Sequence, residues 1–233
     1  MVPESGGLTE GNIVAMDPPR HDQLRGLVSQ AFTPRAIAGL EARIAELTDE
    51  LLDQVSRESR FELVRDLAYP LPVTVVAELL GVPADDHPRF KPWADALLDR
   101  SNGDLASDAT RATATEQIGH FHDYLSDHVA RRRAQPRGDM LSDLVAAEID
   151  GRRLTDDEIV GFATILLIAG HITTTLLLGN ALLCLDEYPQ VQAALRAQPA
   201  VIPVALEEVL RSRSPVPFTA RATNKHTRTS NNR

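Results

Sequence analysis

The chain of 233 residues has a single cysteine, Cys184, and few aromatic side chains, which make up 4% of the sequence. One cysteine excludes an internal disulfide and suits a reducing cytoplasm. Basic side chains are also in deficit: 24 Lys and Arg against 33 Asp and Glu give a net charge of −9, which argues against a general nucleic-acid binder. The first residues have neither the basic start nor the apolar run of a signal peptide. We therefore expect a globular, cytoplasmic protein.

Charge is nearly absent from one long stretch, Thr155 to Leu185, TDDEIVGFATILLIAGHITTTLLLGNALLCL. Thr155 followed by Glu158 predicts a capping box at the start of a helix. The part without Asp, Glu, Lys or Arg, Ile159 to Leu185, measures roughly 40 Å as a helix, and because it is apolar nearly all round it must be buried in protein or in lipid. Polar residues near its middle, such as His171 and Asn180, and the lack of basic flanks favour a soluble core over a membrane span.

The middle of this helix, Ala169-Gly170-His171-Ile172-Thr173, predicts a break. A glycine inside a helix costs about 1 kcal/mol relative to alanine, and hydroxyls that follow it can bond to carbonyls one turn earlier and bend the helix. Two interpretations remain open at this point. Gly170 either packs against another helix or leaves a groove for a flat ligand.

The rest of the chain predicts further helices, and the fold class is therefore mainly α. Apolar periodicity, prolines in first turns and closing glycines are the signals used. Residues 101–112 are predicted to form a mobile connector, and residues 222–233, which have no large apolar side chain, a disordered tail. The predicted helices run from Asp17-Pro18-Pro19 to about Ala31, Thr33-Pro34 to Val55, Pro70 to Gly81, Pro83 to Arg100 (broken), Ile118 to Arg133, Met140 to Ile149, Pro189 to Ala197, and Ile202 to Leu210.

Two pairs of residues at helical spacing are candidate functional groups. His21 and Arg25 lie four apart, on one face of a helix, where two cationic groups suit a ligand with carboxylates or phosphates; an ordinary solvated face is the alternative. Glu208 and Arg211 lie three apart and can pair along their helix. The spacing of the histidines near residues 120–128 does not resemble a zinc site, and no metal ligand is predicted.

Four stretches, in order, resemble the bacterial cytochrome P450 enzymes, which are heme-thiolate monooxygenases. MDPPRHDQLRGLVSQAFTPR is similar to their helix-C region, and LLIAGHITT to their distal helix, which usually reads alanine, glycine, any residue, acid, threonine. EEVLR matches their Glu-x-x-Arg signature, and SPVPFTAR the segment after it. The resemblance covers about Asn12 to Ala222 and implies a P450-like helical core with a long central distal helix.

The resemblance also implies roles for individual residues. His21 and Arg25 would bind one heme propionate and Arg221 the other. Ala169, Gly170 and Thr173 would border the oxygen pocket, with Thr173 hydrogen-bonding bound dioxygen and directing protons to it, and the pair Glu208 and Arg211 would be structural. The implied function is oxygen insertion into a small organic substrate, with heme as cofactor and a ferredoxin-type redox partner, and with neither nucleic acid nor membrane as a partner.

The sequence departs from the family pattern in three places. Ile172 stands at the usual acidic position, the amino-terminal part of the family is absent, and no cysteine loop follows Ala222. Cys184 cannot replace that loop, because it belongs to the distal helix itself, roughly 16 Å beyond Thr173. We therefore expect residues 1–221 to form a partial P450 domain, inactive as this chain stands, followed by a tail at 222–233. An all-α binding protein without heme chemistry and a single-pass membrane protein remain the alternatives.

Overall fold

The computed structural model describes residues 11–30, 32–56, 60–102, 108–149 and 151–217. The mainly α prediction is confirmed. The predicted tail and Arg221 lie outside the described residues. The described elements are α1 (Arg20–Ser29), α2 (Pro34–Ala38), α3 (Leu40–Val55), α4 (Pro70–Leu79), α5 (His87–Asn102), α6 (Asp108–Ala134), α7 (Met140–Ala146), β1 (Glu148–Ile149), β2 (Arg152–Arg153), α8 (Asp156–Glu187), α9 (Pro189–Ala197) and α10 (Ile202–Ser212).

Helix ends that depend on local signals lie where the sequence predicts them. Pro34 and Pro70 are the first residues of α2 and α4. Gly81 follows α4 with φ of 76°, a conformation that a glycine adopts without steric cost. The capping box of α8 is also confirmed: the amide of Thr155 donates to Glu158 Oε2 at 3.0 Å, and the amide of Glu158 donates to Thr155 Oγ1 at 3.1 Å.

The limits of other helices differ from the prediction. Helix α1 begins at Arg20, after Pro19 and without a side-chain cap, rather than at the predicted cap Asp17. Gly39 separates α2 from α3. Helix α5 continues to Asn102 and α6 begins at Asp108, so much of the predicted connector at 101–112 is helical. The residues at the start of α6, Asp108 to Ala112, are exposed, which is why a polar composition there is consistent with a helix as well as with a connector.

The segment before α8 contains a hairpin that the sequence analysis did not predict. The helix expected over Met140–Ile149 ends at Ala146, and Glu148 pairs with Arg153 in antiparallel register. Gly151, with φ of 77°, makes the tight turn possible. A hairpin of two residues per strand is too short to show a periodic pattern in the sequence.

The described residues group into two compact units, and the boundary falls inside α8, after Thr175. The first unit contains the hydrophobic core, to which α1 and α4 to α8 contribute. An aromatic cluster at the contact of α5 and α6 is part of it, with neighbouring ring centroids 5.1 to 6.0 Å apart. Its members are Phe90, Trp93, Phe121 and Tyr124.

The second unit begins at Leu176, and none of its described residues is fully buried. The end of α8, α9 and α10 enclose an apolar groove of about 790 Å³, and the half-buried Cys184 is among its lining residues. Several large apolar side chains of the unit are exposed, and Val204, at 72%, is the most exposed of them. This unit therefore presents an apolar surface that its residues up to Val216 and Pro217, the last ones described, leave exposed.

Helix α8 is long and apolar enough to cross a membrane, and it is the one described helix that meets this criterion. In its most apolar window, 44% of the residues are buried inside the protein. The fully buried positions extend from Glu158 to His171. This part of α8 is core of the first unit.

A buried ion pair joins the end of α6 to the start of α7. Arg132 Nε lies 2.6 Å from Asp139 Oδ2, and both side chains are nearly inaccessible, at 3% and 9%. Arg132 also donates to the carbonyl of Gly81 at 2.9 Å, and Asp139 accepts from the amide of Ser142 at 2.9 Å. A Cβ atom at Gly81 would collide with the Asp139 carboxylate, so the position of Asp139 also requires a glycine in the turn that follows α4.

We predict that Asp139→Ala lowers the free energy of unfolding by about 3–5 kcal/mol, because it leaves Arg132 charged, buried and unpaired. The measurement is the urea midpoint followed by circular dichroism. The matched control is Glu148→Ala, which removes an exposed partner of Arg153 and should cost less than about 1 kcal/mol. Equal shifts in the two variants would contradict the structural role of the buried pair.

Candidate functional site

The middle of α8 has one open face and one packed face. Ala169 is exposed and Thr173, one turn later, is partly exposed, so both lie on the open face. His171 lies on the opposite side and is 1% exposed. Of the three residues predicted to border the oxygen pocket, Ala169 and Thr173 are therefore accessible on one face and neighbours along the helix axis, while Gly170 lies between them in the sequence and is partly exposed.

Helix α8 is continuous through this region, so the predicted break at Gly170 is wrong. The hydroxyls of Thr173 and Thr174 bond back to the carbonyls of Ala169 and Gly170, at 2.6 and 2.8 Å. This back-bonding agrees with the prediction for hydroxyls that follow the glycine. Both hydroxyls therefore donate their protons within α8, and the helix continues through these residues.

Gly170 has a packing role. A Cβ atom added to it would lie 3.0 Å from Val76 Cγ2 of α4, closer than ordinary van der Waals contact allows. The absence of a side chain therefore lets α8 approach α4. Of the two interpretations of Gly170, packing against another helix is the one that this contact supports.

His171 is a buried histidine that the sequence analysis did not assign to the site. Its ring lies edge-on to Tyr69, with centroids 4.2 Å apart, and neither ring nitrogen has a hydrogen-bond partner among the described residues. Burial lowers its pKa from 6.5 to about 4, Asp95 opposes this shift and Lys91 adds to it. His171 is therefore neutral near pH 7 and belongs to the packed face.

Helix α1 presents the predicted pair of cations. His21 is partly exposed, and its Nδ1 lies 2.9 Å from the carboxylate of Asp22. Arg25 is exposed, and its guanidinium has no partner within the described ranges. Because the ring of His21 already contacts a carboxylate, Arg25 is the freer of the two side chains for an incoming carboxylate.

The buried carboxylate of Glu158, 2% exposed, connects α1 to α8. Arg152 Nη2 contacts Glu158 Oε1 at 2.5 Å, and Arg20, which directly precedes His21, contacts the same oxygen at 3.5 Å. Sequence reasoning identified Glu158 as a cap and missed both arginines. Nothing in the local pattern indicated these partners, because they come from other elements.

The remaining predicted residues lie elsewhere. Glu208 and Arg211 pair along α10 as predicted, with contacts of 2.7 and 2.5 Å, and both are exposed at the surface of the second unit. Arg211 lowers the pKa of the Glu208 carboxyl. Arg221 lies outside the described residues.

The open face of α8 fits a flat, apolar group. Ala169 offers a methyl group to such a molecule, Ile172 and Thr173 lie beside it on the partly exposed surface, and the unpaired Arg25 on α1 suits peripheral carboxylates. A porphyrin with two propionates has this chemistry. Among the described residues no group of three or more His, Cys, Asp or Glu is placed to hold a metal ion.

The fold and this site define a mainly helical domain whose longest described helix, α8, presents accessible residues at its middle. The chain belongs to the cytochrome P450 family, whose sequence model matches residues 5–202. It is 47% identical over 224 residues to the erythromycin C-12 hydroxylase of Saccharopolyspora erythraea, covering 96% of this chain and 56% of that enzyme. It is 46% identical over 218 residues to the cyclomarin C epoxidase of Salinispora arenicola, covering 94% of this chain and 55% of that protein.

Solved structures agree with this assignment. The open form of the cytochrome P450 EryK from S. erythraea superimposes with a TM-score of 0.80 at 47% identity, over 90% of this chain and 53% of that one. The chain thus spans about half the length of the relatives it matches. The resemblance to P450 enzymes and the P450-like helical fold are confirmed.

We predict that His171 makes the protein less stable in acid. An unfolded His171 takes up a proton near pH 6.5, whereas the folded one does so only near pH 4. As the pH falls through this window the unfolded state therefore binds more protons, and the free energy of unfolding falls by roughly 1 kcal/mol per pH unit. His171→Phe should flatten this dependence in urea titrations between pH 4 and 7.

The matched control for this prediction is His120→Gln, at an exposed position of α6, which should retain the wild-type slope. His128 is also buried, with its pKa lowered to about 4, so some slope should remain in His171→Phe. An unchanged slope in His171→Phe would show that His171 is not buried as a neutral ring.

Proposed function

We propose that this chain forms the distal wall and one propionate-binding side of a cytochrome P450 heme pocket. The observation that supports this most directly is the open face of α8, where the exposed Ala169 precedes Thr173 by one turn. His21 and Arg25 would bind one heme propionate and Arg221 the other. The single cysteine and the buried part of α8 support a cytoplasmic location.

The whole enzyme would be a monooxygenase acting on a small organic substrate. Heme, when bound, would supply the reductive activation of dioxygen, in which one oxygen atom enters the substrate and the other leaves as water, with two electrons from a ferredoxin-type redox partner and two protons from solvent. The names of the two relatives, a hydroxylase and an epoxidase, agree with oxygen insertion. Glu208 and Arg211 would have a structural role.

The residues of α8 would bind and orient ligands on the distal side. Thr173 uses its proton on the Ala169 carbonyl, so its oxygen keeps lone pairs that can accept a hydrogen bond from a ligand or a water molecule. Gly170 sets how closely α8 approaches α4. Ile172 supplies an apolar wall where the family usually has a carboxylate, so it can neither accept nor pass on a proton.

The test of this function is titration of the chain with hemin, followed by reduction and addition of carbon monoxide. We expect a saturable Soret change but no red-shifted band of a thiolate ligand, because Cys184 lies on α8 itself. Cys184→Ala should leave the spectrum unchanged. A thiolate band that disappears in Cys184→Ala would contradict this account of the iron ligand, and the absence of any saturable binding would favour a helical binding protein without heme chemistry.

Arg25→Ala is predicted to weaken hemin binding about tenfold, equivalent to roughly 1.4 kcal/mol, because an unpaired guanidinium would no longer meet a propionate. The hemin affinity of Arg25→Lys should lie between those of the wild type and Arg25→Ala, because lysine keeps the positive charge but lacks the planar guanidinium that can bind a carboxylate with two hydrogen bonds. Arg153→Ala, which removes an exposed and already paired cation, is the control. Equal losses in Arg25→Ala and Arg153→Ala would indicate non-specific attraction.

Ile172→Glu is predicted to raise the fraction of electrons that end in product rather than in hydrogen peroxide, in a complete enzyme that contains this segment. A carboxylate beside Thr173 can deliver protons, which an alkyl chain cannot. Ile172→Gln is the control, because it has similar size and polarity but no titratable proton. Product and peroxide yields measured per electron consumed decide the question. Equal coupling in all three proteins would mean that proton delivery does not depend on position 172.

A further inference from the structure

A proline in α4 leaves one buried carbonyl without a donor from its own helix. A π-helical turn, Val64–Ala68, precedes α4, and Ala68 is fully buried. In a continuing α-helix, the carbonyl of Ala68 would accept from the amide of residue 72. That residue is Pro72, which has no N–H. An unpaired buried carbonyl is costly, so a donor from elsewhere is required.

Thr175 of α8 supplies this donor. Its Oγ1 lies 2.8 Å from the Ala68 carbonyl oxygen and 3.0 Å from the carbonyl oxygen of His171. The hydroxyl has only one proton to share. The carbonyl of His171 is also the regular acceptor for the backbone amide of Thr175 within α8. The carbonyl that needs the hydroxyl is therefore that of Ala68.

The same part of α8 makes two further contacts with the chain around α4. Gly170 leaves room for Val76, and the ring of His171 packs on Tyr69. Apolar contacts of this kind hold the two segments together but tolerate small rotations. The hydrogen bond from Thr175 is directional, and it ends on a backbone atom that cannot rotate away.

We propose that Thr175 is a positioning residue of the P450 site. By donating to the Ala68 carbonyl, Thr175 fixes the rotation of the middle of α8 about the helix axis and its position along that axis. Successive residues turn by about 100° around a helix, so Thr175 points about 200° from Thr173, to the opposite side. The bond on the packed side therefore sets the direction in which Ala169 and Thr173 face. This inference rests on the proposed heme pocket for its functional meaning, while the bond itself can be tested without heme.

The first test is amide hydrogen exchange of the chain without hemin. Thr175→Val should speed exchange of the amides from Ala169 to Thr175 at least about fivefold, because it leaves the Ala68 carbonyl unpaired. Thr175→Ser should restore protection. Thr174→Val, which removes a hydroxyl that bonds only within α8, should leave the exchange unchanged. Equal effects of Thr174→Val and Thr175→Val would overturn the proposal.

Pro72→Ala gives a reciprocal test, because it provides the backbone N–H that the Ala68 carbonyl lacks. In this background Thr175→Val should change the exchange less than twofold, so the two substitutions should be strongly non-additive. This comparison remains informative if Thr175→Val alone is too unstable to purify. Additive effects would overturn the assignment of the Ala68 carbonyl as the group that needs Thr175.

The second readout is hemin binding by the same variants. Thr175→Val should weaken binding several-fold and shift the Soret maximum, and Thr175→Ser should restore both. Faster exchange together with unchanged hemin affinity and spectrum would show that Thr175 holds the helix without positioning the site, and would overturn the proposal. If the unmodified chain does not bind hemin, the proposed function fails, while the exchange data still decide whether Thr175 holds α8.

Discussion

The arrangement of the candidate site depends on the buried carboxylate of Glu158. It caps α8 through the amide of Thr155 and contacts Arg152 of the hairpin and Arg20 of α1. A carboxylate in this position must be paired, because an isolated buried charge costs several kcal/mol. The contact between Arg20 and Glu158 therefore joins α1 to the start of α8. Helix α1 contains His21 and Arg25, and α8 contains the open face. Gly11 packs on the backbone of Glu158, where a Cβ atom would collide.

The packed face of α8 positions the helix, and its open face is available for binding a ligand. The packed face joins α8 to the chain around α4, through the small Gly170, the neutral His171 and the hydroxyl of Thr175. The open face keeps Ala169 and Thr173 accessible. A rigid helix anchored on one side is a suitable wall for a ligand on the other, because ligand groups held on regular elements keep their direction.

Most of the fold could be predicted from the sequence, because the signals are local. The capping box of Thr155 and Glu158, the first-turn prolines of α2 and α4 and the closing Gly81 each concern neighbouring residues. The short hairpin, the partners of Glu158 and the bond from Thr175 to Ala68 depend on residues far apart in the chain, and no local pattern encodes them. For the candidate site, the family motif predicts Ala169, Gly170 and Thr173, while the burial of His171 could be recognised only from its surroundings.

The most direct test of the central claim is to locate hemin relative to α8 by the paramagnetic broadening of methyl signals in nuclear magnetic resonance. With hemin bound, the methyl signals of Ala169 and Thr173 should lose far more intensity than those of the buried Ala163 and Val129. Zinc protoporphyrin, which is diamagnetic, should leave all four intact. Equal losses at the four positions, or greater losses at the buried pair, would contradict the claim that the open face of α8 borders the heme.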